Sequence, residues 1–343
     1  MQVGDFTMKQ SKKPVTLQDV AKHAGVSRAT ASLIVRNSPK IAPETRKKVL
    51  KSMEELGYVY DRVAANLRSK SSTTVGIIIT DISNTYYSEL LKGVHHTLEK
   101  IGYTVLLGVT FDSVEKQDQI LSTMIEHRVG GVILCPVSES SDAIVNRLKK
   151  IQTPIILAVR ELAGANCDFV SVDYKAGAQM AVEHLIQKGH KRIAFIGGYS
   201  KSSTWIKRIE GYSLALQQAG IEIDESIVID SLPTREGGMD AVRQLLSQRN
   251  LPTAIFCFSD LVAFGVMQGI REAGLTPGKD IAIVGFDNIP EAEIFYPSLT
   301  TVSSFAELTG KTAAKLLHER IVHPEGENQR IILNPELMVR DSS

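Results

Sequence analysis

The sequence predicts a head of three short helices, a basic linker, and an α/β body made of two doubly wound parallel-sheet lobes in tandem. Three observations carry this. The chain has 343 residues, more than one ordinary domain, and 43% of them are apolar against 22% charged, which is globular composition with material for sizeable cores. Charge is unevenly spread: residues 1–72 hold 14 Lys plus Arg against 6 Asp plus Glu, a net of +8, so the formal +1 of the whole leaves −7 for the rest. From Val75 onward, strand-like apolar runs alternate with amphipathic helical runs, and the whole alternation then repeats.

In the head, Thr16 opens TLQDVAKHAGVS as a helix cap; Leu17, Val20, Ala21 and Ala24 follow at helical spacing, and Gly25 stops the helix. Ser27 caps a second start, SRATASLIV, so close behind that the two helices must meet at a sharp angle, which is helix-turn-helix spacing. PETRKKVLKSMEELGY supplies a third helix, with Pro43 in its first turn, a stripe of Val49, Leu50, Met53 and Leu56, and Gly57 as its stop. A basic segment with this periodicity suits a polyanion better than a solvated tail does; a plain helical bundle is the alternative. In a helix-turn-helix the second helix enters the major groove, which points to Ser27, Arg28, Ala29, Thr30 and Leu33. Arg28 can form a bidentate contact to guanine, Ser27 and Thr30 can hold phosphates, and Ala29 offers only a methyl group. DRVAANLRSKSSTT then reads as a linker.

In the body the order is VGIIIT, a helix over 86–101, TVLLGV, a helix over 114–127, GGVILC, a helix over 141–151, and PIILAV. The second round is FVSV, a helix over 174–188, RIAFIGG, a helix over 205–219, SIVID, a helix over 237–249, AIFCFS, a helix over 260–273, and IAIVGFD. TTVSS, a helix over 305–322 and one strand, IILNPELMV, close the chain. Two such lobes predict a cleft between them, with ligand groups on loops at the carboxyl ends of strands. The expected bounds are 1–13 for a disordered extension, 14–60 for the head, 61–72 for the linker and 73–343 for the body. Within the body, the first lobe is expected over about 73–161 plus 290–322 and the second over about 162–289 plus 323–340.

Catalytic fingerprints are missing: there is no G-x-x-x-x-G-K-[ST], no G-x-G-x-x-G after the first strand, and no G-x-S-x-G. No enzyme, cofactor or metal is therefore expected; His95, His96, His184 and His190 lack ligand spacing, and Cys135, Cys167 and Cys257 read as reduced packing residues. With no long apolar run and no apolar leader in the first twenty residues, the expectation is a cytoplasmic protein, associated with the nucleoid, without membrane contact.

The stretches VTLQDVAKHAGVSRATAS and PETRKKVLKSMEELGYVYDRVAANLRSKSSTTVGIII resemble the LacI/GalR family of bacterial transcription regulators almost without gaps. DISNTYYSEL, RIEGY, SDLVAFGV, GFDNIP and YPSLTTV extend the resemblance through a body like that of periplasmic sugar-binding proteins. It implies a repressor that grips two-fold symmetric operator DNA as a homodimer and answers to a small effector, expected to be a mono- or disaccharide. A solute-binding protein of a sugar transport system and a purine- or nucleoside-responsive regulator are the alternatives. The resemblance makes 61–72 a hinge helix that wedges Leu67 into the minor groove, with Ala64 the small residue before it; Thr16, Leu17 and Arg36 complete the DNA-contacting set. It makes Asp287 the acceptor of effector hydroxyls and Arg208 a donor to the same ligand across the cleft, unless the two form a salt bridge between lobes. Asp260 and Asn288 are placed on neighbouring strand ends, Tyr86, Tyr87 and Trp205 as aromatic walls, and Arg160 as a further cleft residue. Arg160 and SLIV are similar to the maltose-regulon repressor branch more than to the purine branch. Leu33, Ala42 and Asp61 depart from the family pattern, where a base-reading Arg or His, a capping Ser or Thr, and a hinge Asn are usual. Met8 lies a typical family distance from the first helix.

Overall fold

The structure, a computed structural model, describes residues 15–35, 38–59 and 72–343. The chain divides into two compact units, residues 1–71 and 72–343. In the first, helices α1 (Leu17–Ala24), α2 (Arg28–Val35) and α3 (Pro43–Leu56) close over a small core of Val20, Ala21, Ala24, Ala31, Ile34 and Val49. A reciprocal capping box starts α1: Thr16 Oγ1 accepts from the Asp19 amide at 3.3 Å, and Asp19 Oδ2 accepts from the Thr16 amide at 2.9 Å. Gly25, at φ +65°, turns the chain out of α1 in the left-handed conformation that only glycine adopts without strain. Ser27 then caps α2, its Oγ accepting from the Thr30 amide at 3.0 Å. Ala42 precedes Pro43 at the N-cap of α3 and gives that helix no side-chain cap bond.

The second unit holds two six-stranded sheets. The first sheet contains β1 (Thr74–Ile79), β2 (Thr104–Val109), β3 (Val132–Leu134), β4 (Ile155–Ala158), β5 (Asp168–Val172) and β11 (Arg330–Leu333), in spatial order β11-β5-β4-β3-β1-β2, all parallel. The second contains β6 (Ile193–Ile196), β7 (Val228–Ile229), β8 (Ala254–Cys257), β9 (Ala282–Asp287), β10 (Thr300–Ser303) and β12 (Glu336–Met338), in order β12-β10-β9-β8-β6-β7, with β12 antiparallel to β10. Helices cover both faces, so the inner strands β3, β4, β8 and β9 are runs of buried apolar residues rather than alternating ones. The alternation read from the sequence is thus the observed architecture. Helices α4 (Thr85–Glu99) and α12 (Ala306–Val322) cross so closely at Gly93 and Gly310 that a Cβ at Gly310 would lie 2.1 Å from the Leu90 carbonyl oxygen.

The lobe bounds differ from those expected. β5, expected to open the second lobe, pairs with β4 in the first sheet, and β10, expected in the first lobe, pairs with β9 in the second. IILNPELMV is two strands in two sheets, β11 and β12. Pro335 between them has no amide to donate and biases Asn334 toward extended backbone, so the run is broken there while the chain changes lobe. The chain therefore crosses between lobes three times, after β5, β10 and β11.

Candidate functional site

On the head, α2 turns Ala31 and Ile34 inward, which leaves Ser27, Arg28, Ala29 and Leu33 exposed and Thr30 half-buried on the opposite face. Ser27 and Thr30 are engaged with each other, Oγ to Oγ1 at 2.9 Å, and that single bond uses one of the two hydroxyl hydrogens. The other is available to a phosphate. Thr16 is exposed and Leu17 half-buried at the start of α1. Arg36, Ala64 and Leu67 lie outside the described residues.

In the body, a cleft of about 250 Å³ lies at the carboxyl ends of strands from both sheets. Its walls include Asp81 after β1, Phe111 and Asp112 after β2, Arg160 after β4, Phe258 after β8 and Asp287 at the end of β9. Helix α8 (Ser203–Gln218) contributes Thr204 and Arg208, and α7 (Tyr174–Gln187) contributes its first residue. Four non-glycine residues at positive φ cluster here: Phe111 (+49°), Asp112 (+56°), Val159 (+70°) and Asp287 (+119°). Strain of this kind costs about 1–3 kcal/mol a residue and persists where a site needs the side chains so aimed.

Arg208 is fully enclosed. Its guanidinium carbon lies 4.3, 4.4 and 4.0 Å from the ring centroids of Tyr174, Phe258 and Phe286, and Nη2 stands 3.6 Å from Asp287 Oδ1. Three aromatic faces carry much of its charge, at up to about 2 kcal/mol each when dry. Nη1 donates to the Thr204 carbonyl at 3.3 Å, while Nε has no acceptor. Burial pushes the Asp287 carboxyl up to about 7, with Arg208 and the Ser304 hydroxyl pulling the other way. Arg208 and Asp287 both belong to the second lobe, so they neither face each other across the cleft nor bridge the lobes. The first lobe brings its own pair: Arg160 Nη1 meets Asp112 Oδ1 at 2.5 Å and the Pro136 carbonyl at 3.3 Å. Tyr86 and Tyr87, edge to face with centroids 5.2 Å apart, line the cleft at the start of α4.

Three expected residues sit elsewhere. Trp205 is one helical step, about 100°, round from Thr204, and packs on Phe195 (5.7 Å between centroids) rather than walling the cleft. Asp260 is wholly buried, accepting from Thr301 Oγ1 at 2.5 Å and from the Ile289 amide at 2.9 Å; it positions the loop after β9 from behind. Burial, then the neighbouring Asp287, push its carboxyl well above the usual range. Asn288 Oδ1 accepts from Arg340 Nη2 at 2.9 Å, and Asn288 lines not the cleft itself but an adjacent cavity that shares Tyr86 and Asp287 with it. Sequence reasoning missed Phe111, Asp112, Tyr174 and Phe258. Each lies at or within three residues of the carboxyl end of a predicted strand, so the rule that ligand groups lie at strand ends was the signal available.

Residues 16–61 match the model of bacterial regulatory proteins of the lacI family, and residues 72–340 match that of periplasmic binding proteins and the sugar binding domain of the LacI family. The chain is 37% identical over 304 residues to catabolite control protein A of Priestia megaterium, covering 88% of this chain and 91% of that one. It is 32% identical over 327 residues to the transcriptional repressor PurR of Photobacterium profundum, covering 95% and 98%. Among solved structures, a transcriptional regulator CelR–cellobiose complex matches at TM-score 0.74 and 30% identity, over 96% of this chain and all of that one. The lac repressor dimer bound to operator and the anti-inducer ONPF matches at TM-score 0.83 and 26% identity, over 96% and 99%. None of these four is a maltose-regulon repressor, so the likeness to that branch gains no support.

Proposed function

The chain belongs to the lacI family of bacterial regulatory proteins, and from that premise we propose a repressor whose grip on operator DNA answers to a small neutral sugar held in the cleft of the body. DNA binding and control by a small molecule come with the family; the sugar, the residues and the sign of control are the proposal. One observation carries the choice of ligand: a caged Arg208 beside an Asp287 carboxyl, both lining the cleft, offers donor and acceptor together, and charge-assisted bonds to hydroxyls are the strong ones. Arg160, Tyr86 and Tyr87 would complete the pocket. The two cleft arginines are each already matched by an aspartate, and Asp81 adds a further carboxylate, which disfavours phosphorylated ligands. A purine is the second reading, supported by the PurR relative.

On the DNA side, Arg28 and Leu33 would meet base edges, Ser27 and Thr30 phosphates, Ala29 a thymine methyl, with Thr16, Leu17 and Arg36 around them. One head covers too few base pairs, so two heads on a two-fold operator imply a homodimer. Leu67, with Ala64, would wedge the minor groove. An effector that prefers one arrangement of the lobes then shifts operator affinity by its differential affinity, as inducer or corepressor. Such a protein works in the cytoplasm and needs no cofactor. The test is fluorescence anisotropy of the full chain on a palindromic duplex, with and without mono-, disaccharides and purines. Specific binding that a sugar alters is expected; binding no better than to random duplex refutes the proposal. Leu67→Ser should weaken specific binding and leave effector affinity intact.

A further inference from the structure

The cleft that holds the Asp287–Arg208 pair has a neighbour. Phe111, Asp112 and Tyr199 wall it and also line an adjacent, outer chamber of about 510 Å³. The inner chamber alone falls below the roughly 300–1,000 Å³ of small-molecule sites, whereas the volumes of the two adjacent chambers taken together fall within it.

The wall between them is built, not left over. Phe111 and Asp112 follow one another at positive φ, a conformation that a bulky aromatic residue adopts only at a cost in strain. The result is a phenyl ring left 61% exposed at the junction, with Lys116 Nζ 4.8 Å from its centroid. The adjacent Asp112 carboxylate is held rigid: Ser138 donates to it from its amide (3.1 Å) and its hydroxyl (2.7 Å), and Arg160 from the inner side. Carboxylates outnumber cations around the outer chamber: Glu115, Glu139 and Asp230 line it with Lys201, which is paired to Glu139 at 3.0 Å, while Lys116 lies over one face of the Phe111 ring and leaves the other for a ligand. An exposed ring beside a fixed carboxylate suits the apolar face and the hydroxyl edge of an uncharged sugar ring, since aromatic faces take C–H surfaces and ionised acceptors take O–H donors.

We propose that the outer chamber is a second sugar subsite, so that the effector is an uncharged disaccharide or longer, with one ring at Asp287 and Arg208 and the next stacked on Phe111 with its hydroxyls on Asp112. This rests on the sugar reading given above, and deepens it.

Isothermal titration of the full chain tests it, with glucose, galactose and ribose against maltose, cellobiose, trehalose and lactose. At least one disaccharide binds ten times more tightly than any of the monosaccharides. Phe111→Ala weakens that disaccharide about tenfold, the loss of one stacking contact, weakens monosaccharides by clearly less, and Phe111→Tyr restores the disaccharide. A monosaccharide that binds as tightly as every disaccharide overturns the second subsite and spares the sugar reading. So does an equal loss for both classes in Phe111→Ala, with Phe111→Gly as the control for relieved backbone strain. If no sugar binds and a purine does, the sugar reading falls and the subsite with it.

Discussion

Raising the pH from 6 to 8 should tighten effector binding, because the residue expected to receive the ligand's hydroxyls titrates in that window. Burial holds the Asp287 carboxyl up to about 7, against the pull of Arg208 and Ser304. Among its neighbours, Arg208 stays protonated as guanidinium does and burial keeps the Tyr86 and Tyr174 phenols neutral. The Asp260 carboxyl, itself pushed up by burial and by Asp287, interacts with it, so Asp260→Asn is measured alongside. With a pKa of about 7, the ionised fraction rises from about one-tenth at pH 6 to about nine-tenths at pH 8. An effector that needs the carboxylate thus gains about tenfold in apparent affinity, its Kd being the intrinsic value divided by the competent fraction. Stability without ligand runs the other way. The native state keeps a proton that the unfolded chain releases near pH 4, so stability falls as pH rises from about 4 to about 7 and is level above. Titration at pH 6, 7 and 8 in buffers of different ionisation enthalpy should show the affinity gain and proton release on binding at the acid end; Asp287→Asn should flatten the profile. An unchanged Kd across the window, or the same slope in the Asn variant, would refute the assignment.

Three further outcomes are expected. Arg28→Ala should cost about 1–3 kcal/mol on a specific duplex, the value of one bidentate base contact, read by anisotropy, with little change on random DNA and no change in melting. Ala42→Ser should raise the stability of the head by about 1 kcal/mol in thermal denaturation, since α3 lacks a side-chain cap bond. Gly310→Ala should destabilise the body by about 1–3 kcal/mol in urea, because the added carbon meets the Leu90 carbonyl oxygen on α4.

Period and punctuation made the elements legible. Thr16, Gly25 and Ser27 mark the ends of α1 and α2 through the cap bonds they make, and the inner strands β3, β4 and β8 announce themselves as unbroken apolar runs. What a period cannot say is which sheet a strand joins. DFVSV and TTVS carry the same signal in either lobe, and their partners, β4 and β9, are chosen by crossovers that cost the chain only a few residues. The site was half legible for a related reason. Arg208, Asp287, Tyr86, Tyr87 and Arg160 meet in the cleft, but Trp205 is turned away by a single helical step, and Asp112 matters through Ser138 and Arg160, 26 and 48 residues distant, which no local pattern reports.

The two charged pairs also say how occupancy can be felt beyond the cleft. Each is closed within its own lobe, Asp112–Arg160 in the first and Asp287–Arg208 in the second, so neither ties the lobes together. Side-chain contacts that do cross include Thr85 Oγ1 donating to Glu291 Oε1 at 2.8 Å, the Glu161 amide donating to Ser203 Oγ at 3.1 Å, and Lys201 with Glu139. The last, being exposed, is worth about 0–1 kcal/mol; the first, a part-buried bond to a carboxylate, about 1.5–3 kcal/mol. A ligand that reaches both pairs therefore adds cross-lobe contacts on the scale of those already present, enough to bias an arrangement so lightly held. Thr85→Val removes the strongest of them without touching ligand or DNA. If lobe arrangement links the two sites, effector affinity in this variant should shift by about tenfold or more, and operator affinity in the absence of effector should shift with it. A shift in effector affinity with operator binding unmoved, free and saturated alike, would mean that the arrangement of the lobes does not carry the signal.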